Sequence, residues 1–145
     1  GKTTLSNLLK KELERDRMFT YKVEQLDGDD VRELFQNKDY SEKGRSYNVD
    51  IVQKISHYLQ TKGDDTIVSL VSPYIDQREQ FKKLLGNKIV EIYVHTSEKR
   101  ERDHFKSDDY QPPKDNFINM DTTDVTPEES IVEILTTLKN KIYEV

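Results

Sequence analysis

The sequence predicts an α/β fold with a mainly parallel sheet and helices on both of its faces. Short Val- and Ile-rich runs alternate with amphipathic stretches along the whole chain. A length of 145 residues with 33% hydrophobic content supplies one core rather than two, and no repeat or Gly/Ser/Pro linker divides it. Strands that alternate with helices are joined by crossovers, which make neighbouring strands parallel and cover both sheet faces. Residues 1–145 are therefore expected to form a single domain.

The elements follow in order. Leu5, Leu8, Leu9 and Leu13 recur at helical spacing in LSNLLKKELERD, so residues 5–16 form an amphipathic helix. YKVEQLDG, residues 21–28, is a short strand ending in an acidic turn, and DDVRELF, residues 29–35, is a short helix started by aspartate side chains. The polar NKDYSEKGR reads as a loop. From 46 to 61, Val49, Val52, Ile55, Tyr58 and Leu59 share one helical face, and Lys62-Gly63-Asp64 ends the helix. DTIVSLVS (65–72) and KIVEIYVH (88–95) suit buried or half-buried strands, with a helix over 76–85 between them. SEKRERDHF (97–105) reads as helical and DNFINMDT (115–122) as a strand. The last helix, 126–144, has the most explicit start: Thr126 caps, Pro127 takes the first helical position and Glu129 completes a capping box.

A net charge of −5 with 35% charged residues gives no general attraction to nucleic acid or an anionic membrane, so phosphate binding must be local. There is no Cys and no long apolar run, and the chain reads as soluble and cytoplasmic. His57, His95 and His104 lie at spacings that make no helix-face metal pair.

In parallel sheets ligands gather outside the carboxyl ends of the strands. Three motifs fall there. GKTTL, residues 1–5, matches the end of the phosphate-binding pattern G-x-x-x-x-G-K-[ST] and opens the first helix. In that reading the amides from Gly1 to Thr4 and the helix dipole hold phosphate oxygens, Lys2 supplies a point charge, Thr4 reinforces the nest and the Thr3 hydroxyl coordinates Mg²⁺. LDGDD follows the first strand and VSPY the second. Asp27 faces the phosphate loop from its strand end, where it accepts a hydroxyl proton, holds a Mg²⁺-bound water, or does both; Asp29 is the second choice and otherwise caps the short helix. The pattern also needs an earlier glycine and a strand before Gly1. Such a strand is expected in the middle of the sheet, and without it two strand edges and much apolar surface lie open.

Four segments in order carry a resemblance to one family. LDGDDVR resembles the D-G-D-N-x-R segment of adenylylsulfate kinases, with Asp30 in place of Asn; YSEKGRSYNV resembles their F-S-x-x-x-R-x-x-N; SLVSPY resembles their S-x-I-S-P-Y; and the match continues to TPEES. The resemblance implies a three-layer P-loop kinase fold and transfer of the ATP γ-phosphoryl group to the ribose 3′-hydroxyl of adenylylsulfate, with Mg²⁺. By the same resemblance Arg32 and Arg45 match arginines that hold the acceptor's phosphosulfate, a task suited to the planar guanidinium fork. Tyr40 replaces a Phe and either stacks on adenine or packs in the core. Asn48 and Ser72, with Val71 beside it, match acceptor-nucleotide contacts. Arg100 or Arg102 matches the lid arginines of P-loop kinases. The implied partners are small molecules, with neither nucleic acid nor membrane, and a homodimer is compatible.

The sequence departs from the family at the lid. Its long basic segment, K-G-L-Y-K-K-A-R with a later G-F-T-G, has no counterpart, because DHFKSDDYQPP joins the flanking regions almost directly; Phe105 and Lys106 are the candidate substitutes. A shortened lid points to altered acceptor specificity, weaker acceptor affinity or wasteful ATP hydrolysis. The alternatives are a related small P-loop kinase for another nucleotide or hydroxylated metabolite, and a catalytically silent nucleotide-binding domain.

Overall fold

The computed structural model describes residues 2–15, 22–97 and 109–143. Its elements run α1 (Lys2–Arg15), β1 (Val23–Asp27), α2 (Gly28–Leu34), α3 (Glu42–Thr61), β2 (Asp65–Ser69), α4 (Ile75–Leu85), a 3₁₀ turn (Gly86–Lys88), β3 (Ile92–His95), β4 (Ile118–Asp121) and α5 (Pro127–Tyr143). The strands are shorter than the Val/Ile runs suggest, because only the paired residues count. The run that starts at Lys88 first completes the 3₁₀ turn and joins a ladder at Ile92. The expected helix over 97–105 lies outside the described residues after Ser97.

All strand pairing is parallel. β1 pairs with β2 from Val23↔Asp65 to Asp27↔Ser69, and β3 pairs with β4 from Ile92↔Ile118 to His95↔Asp121. Among the described residues the expected single sheet is divided into two two-stranded pairs. A cavity of about 100 Å³ separates β2 from β3, lined by Ile67 and Ser69 on one side, Ile92 and Val94 on the other, and Leu5 and Leu9 of α1.

Side-chain alternation puts helices on both faces of β1–β2. Ser69 meets Ser6 of α1, whereas Thr66, on the opposite face of β2, shares a 2.6 Å hydrogen bond with Ser56 of α3. Leu5, Leu9 and Leu13 of α1 join Val23, Ile118, Met120, Ile131 and Ile134 in the main core, with α5 beside α1. Met120 and Ile134 are 1% exposed. The other face is packed by α3, whose Val52 is fully buried.

Helix starts explain most boundary differences. At α5 the expected capping box is present: Thr126 Oγ1 accepts from the Glu129 amide and a Glu129 carboxylate oxygen accepts from the Thr126 amide, both at 3.2 Å. At α3 the stretch expected to be loop already turns helical at Glu42, because the Ser41 hydroxyl accepts from the Gly44 amide at 3.3 Å. Residues 37–40 fold back on that first turn. Asn37 Nδ2 donates to the Gly44 carbonyl at 3.0 Å, and a Cβ added at Gly44 would sit 2.1 Å from the Asp39 carbonyl oxygen. Only glycine admits that approach. At the far end α3 stops at Lys62 and Gly63, whose φ of 90° is a left-handed conformation that glycine adopts without strain.

Gly44→Ala is expected to destabilise the protein by roughly 1–3 kcal/mol, the usual range for overpacking against atoms that cannot move away. Urea unfolding checks this: the midpoint should fall while the slope stays constant.

Candidate active site

α1 begins beside the carboxyl ends of β1 and β2, and two hydroxyl contacts hold it there. Thr3 Oγ1 donates to Asp27 Oδ2 at 3.2 Å. Ser6 Oγ donates to the Lys2 carbonyl at 2.8 Å, so the Ser69 hydroxyl acts as donor in its contact with Ser6. The first turn of α1 contains no acidic residue of its own; a carboxylate reaches the positive end of its dipole from Asp27. Lys2, Thr3 and Thr4 are exposed there. Gly1 lies outside the described residues.

Asp27 has a second task. Its Oδ1 accepts from the Asp29 amide at 2.9 Å and caps α2, which starts at Gly28 and not at Asp29. Asp29 is therefore capped rather than capping, and its exposed side chain lies in the first turn with that of Asp30. One carboxylate thus joins α1, β1 and α2. Each of its oxygens keeps a further lone pair. Among the described residues no cluster of three or more His, Cys, Asp or Glu is placed to hold a metal. The Thr3 hydroxyl and the Asp27 carboxylate do fit Mg²⁺, a hard cation that takes one or two protein oxygens beside water and phosphate oxygens.

The expected acceptor residues separate into two groups. Arg32 is 8% exposed; its Nη1 donates to the carbonyls of Asn37 at 3.2 Å and Asp39 at 2.9 Å, and its guanidinium lies 4.2 Å from the Tyr40 ring centroid. Tyr40 is 68% exposed, which rules out core packing for it. The Asp39 carboxyl is held below its usual range by the Ser41 hydroxyl and amide. Asn48 is buried and donates to the Gly28 carbonyl at 3.2 Å, tying α3 to the start of α2.

Arg45 looks the other way, toward the turn after β2. Its Nη1 meets Asp109 Oδ1 at 2.8 Å, and Tyr74 donates to the other oxygen of the same carboxylate at 3.1 Å. In that turn Val71 is exposed, while Ser72 is buried with φ 44° and its hydroxyl has no hydrogen-bond partner among the described residues. Behind it Arg78 is buried, donating from Nη1 to the Ser72 carbonyl at 2.7 Å and from Nε to Glu91 at 2.9 Å. Burial works against the charge of Lys82, but its hydrogen bonds to Glu91 and Glu79 outweigh this and raise its pKa. Arg100, Arg102, His104, Phe105 and Lys106 lie outside the described residues. Sequence reasoning missed Asp109, Tyr74, Arg78 and Ser6. SLVSPY and DDYQPP were the available signals for the first two, whereas Ser6 gives none.

Comparison with known proteins places the chain in a family. Residues 1–123 match the family described as Adenylylsulphate kinase. The adenylyl-sulfate kinase of Staphylococcus epidermidis is 32% identical over 163 aligned positions, covering 99% of this chain and 80% of that protein. A probable adenylyl-sulfate kinase of Archaeoglobus fulgidus is 45% identical over 94 residues, 64% of this chain and 58% of its own length. The structure of the Mycobacterium tuberculosis APS kinase CysC in complex with AMPPNP and APS superposes with a TM-score of 0.77 at 20% identity, over 96% of this chain and 91% of that one. The fold is that of a P-loop kinase, and the chain belongs to the adenylylsulphate kinase family.

Proposed function

We propose that the protein is an ATP-dependent adenylylsulfate kinase, transferring the γ-phosphoryl group of ATP to the 3′-hydroxyl of adenylylsulfate to give 3′-phosphoadenylylsulfate. The observation that carries the reading is the Thr3–Asp27 hydrogen bond, which brings two motifs 24 residues apart in sequence to one point. Phosphoryl transfer asks little covalent chemistry of a protein. It needs charge around the phosphate oxygens and an oriented hydroxyl nucleophile.

The first turn of α1 supplies the donor half: helix dipole, backbone amides and the Lys2 charge meet the ATP phosphates. Mg²⁺ held beside Thr3 and Asp27 would neutralise charge on the phosphate oxygens. Asp27, capping α2 through Oδ1, keeps Oδ2 turned to Thr3 and so to the donor, where it receives or orients the proton of the acceptor hydroxyl. Arg45 meets the acceptor's anionic group. Arg32 supports Tyr40, whose exposed ring offers a stacking face for adenine. Asn48 holds the start of α2 beside them. A cytoplasmic location accords with an ATP-consuming chain without cysteine; among the described residues no helix is long and apolar enough to cross a membrane.

Lys2→Ala and Thr3→Ala are expected to lose most of the thermal stabilisation by MgATP, which at a hundredfold excess over Kd amounts to about 2.7 kcal/mol for the intact site. Differential scanning fluorimetry reads this directly, and an undiminished shift in both variants contradicts the donor assignment. Asp27→Asn is expected to lower kcat by roughly 10²–10⁴, the range for loss of an acid–base group. ATP affinity should change far less, because the carboxylate acts mainly in the transition state. Retained turnover would move the role to Asp29.

A further inference from the structure

Residues 109–111 are fastened to the turn after β2 and to the start of α4. The Gln111 amide donates to the Pro73 carbonyl at 2.8 Å. Its side-chain oxygen accepts from the Ile75 amide at 2.9 Å, which supplies α4 with the cap that the Tyr74 side chain does not give. The Gln111 carbonyl accepts from Arg78, whose guanidinium also lies 5.3 Å from the Tyr110 ring centroid. Arg78 is itself fixed by Ser72 and Glu91. The backbone beside Asp109 is therefore located by contacts that do not involve Arg45.

The Asp109 carboxylate is pinned in addition by Tyr74, which donates to Oδ2, while Oδ1 faces Arg45. Desolvation, and then the bond to Asp109, raise the Tyr74 pKa, and a phenol is a donor at neutral pH even without that shift. The Arg45 and Asp109 side chains are 29% and 45% exposed, so the ion pair itself adds little stability. Its effect is geometric. An arginine has several rotors, and freezing them only when a ligand arrives weakens binding.

We propose that Asp109 is a positioning residue of the acceptor site: its carboxylate, located by Tyr74 and the Gln111 clasp, holds the Arg45 guanidinium in one orientation before the anion binds. The bond to Oδ1 engages Nη1, one of three guanidinium nitrogens that carry N–H donors. The kinetic consequence rests on the adenylylsulfate reading; the orientation of Arg45 does not.

The test uses Asp109→Ala, Tyr74→Phe, Arg45→Ala and the Asp109→Ala/Arg45→Ala double variant. In the ligand-free protein, ¹⁵N NMR of the Arg45 side chain reports guanidinium rotation, which should speed up in Asp109→Ala. In steady-state ADP release, the KM for adenylylsulfate should rise about tenfold in Asp109→Ala and less in Tyr74→Phe, with kcat and the ATP KM unchanged. Adding Asp109→Ala to Arg45→Ala should change nothing further, since the residue acts through Arg45. Unchanged guanidinium rotation overturns the proposal. A lower acceptor KM overturns it too, because it would make Asp109 a competitor of the anion, and so does an equal loss in the Arg45→Ala background, because it would make the role purely structural. If the wild-type protein shows no adenylylsulfate-dependent turnover, the acceptor reading fails, and the NMR measurement still decides the positioning claim.

Discussion

The carboxylate of Asp27 is the point on which the site depends. One oxygen satisfies the Asp29 amide that would otherwise lack a partner at the start of α2, and the other binds the Thr3 hydroxyl at the start of α1. β1 carries this carboxylate at its last residue, and the parallel pairing Asp27↔Ser69 sets the end of β2 level with it. Ser69 in turn meets Ser6. The N-terminal turn of α1 is thus tied to two strand ends, and the same aspartate that receives the Thr3 hydroxyl fixes where α2 starts. A helix cap is worth roughly 1 kcal/mol, so the folding role of this residue is separable in size from the catalytic role proposed for it.

The acceptor half is built on a different principle. On the proposed reading the donor half uses backbone amides, the Lys2 charge and the Thr3 and Asp27 side chains, whereas the acceptor half relies on arginines held by carbonyls, an aromatic ring and a carboxylate. Arg32 is buried and shapes the loop that presents Tyr40, whereas Arg45 stays partly exposed where a ligand can reach it. The two guanidiniums that the motifs treat as equivalent are therefore held differently: one lies against the Tyr40 ring, the other against the Asp109 carboxylate.

Periodicity and capping were legible in the sequence wherever a helix face or a complete cap signature was present. The leucines of α1 and the Thr126–Glu129 box predicted what is observed; on α3 Val49 and Val52 are buried as expected, but Tyr58 is 61% exposed and Ser56 takes a buried place instead, because a position nine residues after Val49 points to the opposite side of the helix. The start of α3 was not legible, because Ser41 is followed three residues later by Gly44 rather than by Glu or Gln, and the apolar pattern begins only at Val49. Among three aspartates in LDGDD, composition alone did not choose the cap; the extended backbone of Asp27, φ −101° and ψ 132°, does. Sheet organisation was legible as parallel pairing but not as two separate pairs, since strand order is a tertiary property. The Arg45–Asp109 contact spans 64 residues and has no local signal.

Transfer of label from [γ-³²P]ATP, with and without adenylylsulfate, tests the central claim most directly. The account predicts label in a nucleotide product at the ribose 3′-position, formed only when adenylylsulfate and Mg²⁺ are both present. Label appearing solely as inorganic phosphate, at a rate indifferent to adenylylsulfate, would contradict it and leave a phosphate-binding domain without the acceptor chemistry assigned to it.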